Sequence, residues 1–321
     1  NVTVSGNTSS SDLGGGIANS GTMTLTNVTV NGNTATGGGG IVNGGHEQIS
    51  IGGAIVVTPI GGTLSMTGGI VSNNTGGGIF NVAGTATLTD VTISGNTAMS
   101  GIRNVDTMTL TNVTVSGNTA SGPQGFGGGI INIGTLTLTN VTVSGNIADQ
   151  FGGGIANLVV ETGIQSGGGV VTQVSASTLT MTNVTVTGNT PGGLLGAGCS
   201  GLNCEQGSIH LTNTIMANNL LSANCSAAPV TITSLGHNLD SGTSCGFTGP
   251  GDLSNIDPKL GPLQNNGGPT QTHALLPGSP AINAGTNSGC PSTDQRGGTR
   301  PQGAAGDIGA FEFGALPVAA V

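Results

Sequence analysis

The sequence predicts an all-β fold: a right-handed, single-stranded parallel β-helix of about 8–10 coils ending in a loop-rich C-terminal cap. Three observations predict it. One phrase returns along the chain, apolar residues alternate with threonine inside it, and aromatic residues are nearly absent. The phrase is clearest at Thr109-Leu110-Thr111-Asn112-Val113-Thr114-Val115-Ser116-Gly117-Asn118-Thr119. Related copies start at Asn1, Asn27, Gly68, Asp90, Asn112, Asn140, Asn183 and Asn213, at successive spacings of 26, 41, 22, 22, 28, 43 and 30 residues.

Within the phrase, Met108, Leu110, Val113 and Val115 follow the period-2 pattern of half-buried strands, but the phase slips between Leu110 and Val113. Both halves face one core only if the chain turns a corner at Thr111-Asn112. A third strand is expected from the phrase Gly-Gly-Gly-Ile-Ala-Asn at 14–19, echoed at 127–132 and 152–157, where glycine permits close backbone approach. One coil cannot bury its side chains or pair its backbone alone, so stacking at about 4.8 Å is the folding mechanism. Stacking predicts aliphatic ladders of Leu25, Leu88, Leu110, Leu136 and Leu138 and of Val28, Val113, Val141 and Val184. It also predicts an amide ladder at one corner from Asn33, Asn74, Asn96, Asn118, Asn146 and Asn189. The hand of parallel crossovers favours a right-handed coil.

Composition agrees. A chain of 321 residues with 63 Gly, 2% aromatics and neither Trp nor Tyr is a poor candidate for a compact globule, but suits a core one aliphatic side chain deep. With only 5% charged residues, solubility must rest on hydroxyls and amides. The net charge of -9, with four basic residues, argues against nucleic acid and anionic membranes as partners. No apolar run is long enough for a spanning helix. The sequence opens inside a repeat without a secretory signal, which suggests a trimmed product or a piece of a longer solenoid.

Residues 1–229 are expected to form the coils, with hairpins projecting from one corner near 41–60 and 158–177. Residues 230–321 are expected to hold the last coils, the cap and an apolar tail. The hairpins have a bland reading as excursions and a functional one as a ligand flap, and their lack of charge and aromatics favours the first. Cys199 with Cys204 and Cys225 with Cys245 are candidate disulfides in an oxidising compartment, leaving Cys290 as a free thiol. Spacing does not complete a metal site, and no cofactor is implied.

From about Val230 the composition shifts, and three of the four basic residues fall in the final 65. Here stand Asn255-Ile-Asp-Pro-Lys-Leu-Gly-Pro-Leu-Gln-Asn-Asn-Gly-Gly-Pro-Thr-Gln-Thr-His-Ala-Leu-Leu-Pro-Gly-Ser-Pro-Ala-Ile-Asn-Ala-Gly285, then Asp294-Gln-Arg-Gly297, Arg300-Pro-Gln-Gly303 and Asp307-Ile-Gly-Ala-Phe-Glu312. On these phrases the stretch from Cys225 to Glu312 closely resembles the C-terminal region of bacterial surface β-helix proteins of the choice-of-anchor Q domain type, related to polymorphic outer-membrane proteins. The upstream coils match only the general β-helix pattern. The resemblance implies an extracellular bacterial protein, located outside the cell or on its surface, whose last segment packs over the helix end. It also implies a partner for Cys290 just before the Asp307 phrase, where this chain has Gly306. Arg296 and Arg300 lie near Asp294, Asp307 and Glu312. A sugar-acid or phosphate site is one reading, and a buried ion-pair lock holding the cap is the favoured one.

Catalysis of the lyase or glycosidase kind needs paired carboxylates, or a carboxylate with a basic partner. The coils offer Asp12, Glu47, Asp90, Asp106, Asp149 and Glu161, with Arg103 the lone base before Lys259. Asp90 stands at an asparagine corner position, Arg103 and Asp106 are expected to form a surface pair, and His46, His210, His237 and His273 are scattered. No catalytic constellation results. Thr-x-Thr pairs (Thr24 and Thr26, Thr87 and Thr89, Thr109 and Thr111, Thr137 and Thr139, Thr180 and Thr182) are expected to line an outer face, similar to the array of ice-binding β-helices. Insertions of unequal length are expected to break its flatness. Glycan acceptor triplets occur at Asn1, Asn7, Asn27, Asn73, Asn112, Asn140, Asn183 and Asn224, five of them within the corner phrase Asn-Val-Thr. The reading that results is a non-enzymatic extracellular structural or adhesive solenoid, associating with itself end to end by strand addition. The alternatives are a monomeric glycan-binding adhesin, a lyase-like enzyme and an ice-binding protein.

Overall fold

The computed structural model describes residues 1–10, 14–51, 54–123, 125–166, 169–197, 207–227 and 230–318. Its core is a stack of parallel strands. Ten rungs succeed one another in the main sheet: Val2–Ser5, Thr22–Asn31, Gly62–Ser72, Thr92–Ser94, Thr114–Ser116, Thr135–Ser144, Thr178–Thr187, Ile215–Ala217, Leu239–Asp240 and Leu253–Ser254. The threonine-rich first halves of the phrase pair in the same sheet. A second sheet of eight parallel strands stacks the short Gly-Ile strands from Ile17–Asn19 to Cys225–Ala227.

The corner follows from backbone chemistry. Asn27, Gly68, Asp90, Asn112, Asn140, Asn183, Asn213, His237 and Gly251 occupy the same place in successive coils, and all have positive φ, between 49° and 70°. Glycine adopts that left-handed conformation freely, and Asn and Asp tolerate it best among the others. The turn moves Val113 and Val115 to the same interior as Met108 and Leu110, and all four are fully buried. Ladders form as the repeat requires: Leu88, Leu110 and Leu138 are in register, as are Val141 and Val184, and Ile41, Ile79, Ile102, Ile130 and Ile155 line the third side.

Asparagine supplies the polar half of the interior. Asn7 donates its Nδ2 to Asn33 Oδ1, and the donation passes on through Asn74, Asn96, Asn118, Asn146, Asn189, Asn219 and Asn224 at 2.8–3.1 Å. The last amide donates to Asp240 Oδ1 at 2.7 Å. Every amide in the file points the same way, so its acceptor end suits a carboxylate, which has no proton to donate. A second file, not foreseen from the sequence, runs Asn19, Asn43, Asn81, Asn104, Asn132, Asn157 at 2.7–2.8 Å. It stops where Gly196 faces Asn157, whose Nδ2 has no acceptor among the described residues. Glycine makes room for the first file: a Cβ on Gly78 would lie 2.5 Å from Gly101 O and 2.9 Å from Asn96 Nδ2.

Both insertions leave after an asparagine of the second file, Asn43 or Asn157. They form antiparallel hairpins, Gly45–Ile51 with Ala54–Ile60 and Val160–Ser166 with Gly169–Ser175. The C-terminal end of the core is plugged by Val230, Phe247 and the Cys225–Cys245 disulfide, all buried in the main cluster. This bond closes a loop with a sequence separation of 20, for which chain entropy gives about 3 kcal/mol. Replacing both cysteines by serine is expected to lower the urea-unfolding free energy by about that amount, read from the shift in midpoint.

The segment beyond Ile256 does not lie over the helix end, as the resemblance implies. It folds back along the flank of the main sheet, because the outward side chains there offer it hydrogen bonds. Thr114 Oγ1 donates to Gln271 O at 2.6 Å, Asn140 Nδ2 to Thr293 O at 2.9 Å and Asn213 Nδ2 to Thr286 O at 3.0 Å. Beneath this strap a second apolar cluster joins Ile215, Ala217 and Leu239 to Leu275, Ala281, Ile308 and Phe311.

Candidate functional site

Three outer faces emerge from this architecture, and each carries different chemistry. The first is the threonine face. Thr22, Thr24 and Thr26 are in register with Thr63, Ser65 and Thr67, then Thr85, Thr87 and Thr89, Thr107, Thr109 and Thr111, Thr135, Thr137 and Thr139, and Thr178, Thr180 and Thr182. The expected interruption by insertions does not occur, because both hairpins leave from the corner and return the chain in register. Six coils of hydroxyls and methyls therefore repeat at about 4.8 Å.

The second is the strapped flank, where the sequence placed an ion-pair lock. Arg296 lies 2.7 Å from Asp294 Oδ2, donates Nη2 to Glu312 O at 2.8 Å, and stacks 3.7 Å from the Phe311 centroid. Arg300 Nε lies 3.2 Å from Glu312 Oε2, without the alignment of a hydrogen bond. Its Nη1 and Nη2 both donate to Gly309 O. All four side chains are buried, so their charges satisfy one another and fix loops, while Asp307, expected in the same lock, accepts instead from the backbone N–H groups of Asn283 and Phe313. Between them in sequence, Gln295 is fully buried. It accepts from Thr142 Oγ1 at 2.7 Å and donates to Thr114 Oγ1 and Thr270 Oγ1 at 2.9 Å, pinning the strap to the coils. Gln295 was not singled out from the sequence, although it sits inside the Asp294–Gly297 phrase.

Two titratable groups of the flank are shifted. Burial lowers the pKa of His273, partly offset by its bond to the Gly261 carbonyl. That carbonyl can only accept, so Nδ1 donates to it at 2.7 Å and Nε2 accepts from Ser144 Oγ at 2.8 Å. Burial pushes Asp307 up to about 6, against backbone donors at Phe313 and Asn283. The signs oppose each other. A depressed histidine loses stability as pH falls below about 6.5, whereas a raised carboxyl loses it as pH rises from about 4 to about 6. Urea midpoints between pH 4 and pH 7 are expected to separate the two. His273→Gln leaves only the fall with rising pH, and Asp307→Asn leaves only the fall with acidification.

The third face is the outside of the glycine-rich sheet, where Ala18, Val42, Phe80, Arg103, Ile131, Ala156, Leu195 and Ser226 stack in register. Arg103 does not pair with Asp106, as expected from sequence. The Asp106 carboxylate instead accepts from Gly84 N at 2.7 Å and from Thr107 Oγ1 at 3.2 Å. Asp90 accepts from Asn112 Nδ2 at 3.0 Å as a corner residue, and Asp149 accepts from Gly122 N at 2.6 Å. Asp12 lies outside the described residues, and His46, Glu47 and Glu161 fall on the hairpin strands. His210 continues the threonine face opposite Thr180, and His237 bonds Ala284 O at 2.7 Å.

Burial corrects three of the glycan acceptors. Asn140, Asn183 and Asn224 are at most 8% exposed and bonded internally, Asn183 to Asp307 O and Gly309 O, so their amides are closed to a glycan. Asn1, Asn7, Asn27 and Asn73 are exposed, and Asn112 is half-buried. Cys199 and Cys204 lie outside the described residues. Cys290 is a half-buried free thiol 3.4 Å from Asn183 Oδ1. Among the described residues no three His, Cys, Asp or Glu side chains converge as a metal site, and no helix is long and apolar enough to cross a membrane. Compared with known proteins, the chain matches no family model, no curated protein and no solved structure.

Proposed function

We propose that this parallel β-solenoid serves as an extracellular structural and adhesive rod of a bacterial surface, extended by strand addition at its ends. One observation carries the reading. Among the described residues, strand Val2–Ser5 pairs on one side only, with Val28–Asn31, and Val4, Ile17, Met23 and Leu25 beside it are only partly buried. Such an edge accepts a further strand, whether from polypeptide upstream or from a second copy of this chain. The disulfide at the other end supports an oxidising location. The tail is less free than a donated strand requires, since Ala315 is buried and Val318 N bonds Arg296 O at 3.1 Å, which favours the Val2 edge within this reading. Sedimentation of the 1–321 chain is expected to show a mass that rises with concentration. Val4→Lys, which puts a charge at the open end of the core, is expected to return it to monomer. A wild type that stays monomeric at high concentration would overturn self-association.

The unbroken threonine array favours one second reading, binding to a periodic surface such as ice. It predicts thermal hysteresis that is lost in Thr111→Lys, and a wild type without hysteresis removes it.

A further inference from the structure

Arg103 is the single Lys or Arg before Lys259. It occupies the outward position of strand Ile102–Asn104, with Phe80 and Ile131 in register on either side. Its guanidinium carbon lies 4.9 Å from the Phe80 centroid. Among the described residues it makes no hydrogen bond and no ion pair, and its Nε is buried without an acceptor. A chain with 13 acidic residues gave carboxylates to both arginines of the strap and none to this one. Burial accordingly lowers its pKa, though a guanidinium remains charged at neutral pH.

The local sequence explains the opening. Five of the other coils place Gly-Gly-Gly before this strand, at 14–16, 38–40, 76–78, 127–129 and 152–154, and those glycines fold against the outward residues, as Gly38 does on Val42 and Gly127 on Ile131. This coil instead has Ala98-Met99-Ser100-Gly101. A cavity of about 70 Å³ results, lined by Ala98, Met99, Ser100, Ala120, Ser121 and Ile131 around Arg103. Ser121 is exposed, and the Phe126–Phe151 pair follows along the rod, its centroids 6.4 Å apart and Phe151 56% exposed.

We propose that this cavity binds the carboxylate of a uronic-acid unit in an acidic polysaccharide, with Arg103 as the charged partner, Ser121 as a second donor, and the phenylalanine pair as a stacking surface for the next sugar. A sugar fits better than an acidic peptide. An extended peptide that adds to a sheet gains its affinity from main-chain hydrogen bonds, and that mode is closed here because Ile102–Asn104 is already paired on both sides. The site does not depend on end-to-end growth.

Calorimetric titration with oligogalacturonate, neutral oligogalactose and poly-glutamate tests it. The wild type is expected to bind oligogalacturonate alone, with affinity falling as salt rises, and Arg103→Gln to weaken binding at least tenfold. Arg103→Leu, which removes an unpaired cation, is expected to melt no lower than the wild type, so that lost binding is not lost folding. Failure of the wild type to bind oligogalacturonate, or equal binding by Arg103→Gln, overturns the site. Equal binding of poly-glutamate overturns the sugar assignment.

Discussion

Asn118→Leu is expected to destabilise the protein by about 3–5 kcal/mol, although leucine is apolar and close in size. Asn118 Oδ1 accepts from the backbone and side-chain nitrogens of Asn96, at 3.0 and 2.9 Å, and its Nδ2 donates to Asn146 Oδ1, Ile93 O and Ser116 O. The substitution leaves the Asn96 backbone N–H and the Ile93 carbonyl buried without these partners, and each such group costs about 1–3 kcal/mol. Asn7→Leu, at the exposed donor end of the same file, is expected to cost under about 1 kcal/mol. Urea unfolding of both variants checks the contrast. Equal effects would mean that the amide file is not a cooperative element.

Arg296→Ala is expected to release the strap, at about 3–5 kcal/mol, because breaking a buried pair leaves Asp294 charged, fully enclosed and short of one donor. The loss includes the Phe311 stack and the bond to Glu312 O. Its effect is local by construction: the coils keep their own ladders, while the segment beyond Ile256 depends on this anchor and on Gln295. Limited proteolysis is expected to cut the variant after Ile256 and leave the coils intact. Uniform digestion would show that strap and coils unfold as one unit.

The coils were legible because their determinants are local and repeated. The phase slip at Asn112 locates a left-handed residue, and the alternation on each side of it gives the inward faces. The second amide file is less legible, since Asn19, Asn132 and Asn157 each end a glycine-rich phrase, and only the stack shows that they bond one another from coil to coil. The flank was not legible. Thr114, Thr142 and Thr185 look the same in sequence as the uncovered Thr29 and Thr92, and their partners lie well over a hundred residues away, as with Thr142 and Gln295. The strap's charges could be read as mutually satisfied, but not as lying along the side of the rod. Proximity within one short coil predicts an Arg103–Asp106 pair. The competing backbone donor at Gly84, one coil away, is invisible without the stack.

A distance along the threonine face tests the stack most directly. Spin labels at Thr24→Cys and Thr180→Cys, in a background with Cys199, Cys204 and Cys290 replaced by serine and the Cys225–Cys245 disulfide intact, are separated by five in-register steps. At about 4.8 Å per step, dipolar spectroscopy should give one narrow distribution centred near 24 Å. A broad distribution, or a centre beyond about 40 Å, would contradict a continuous parallel stack.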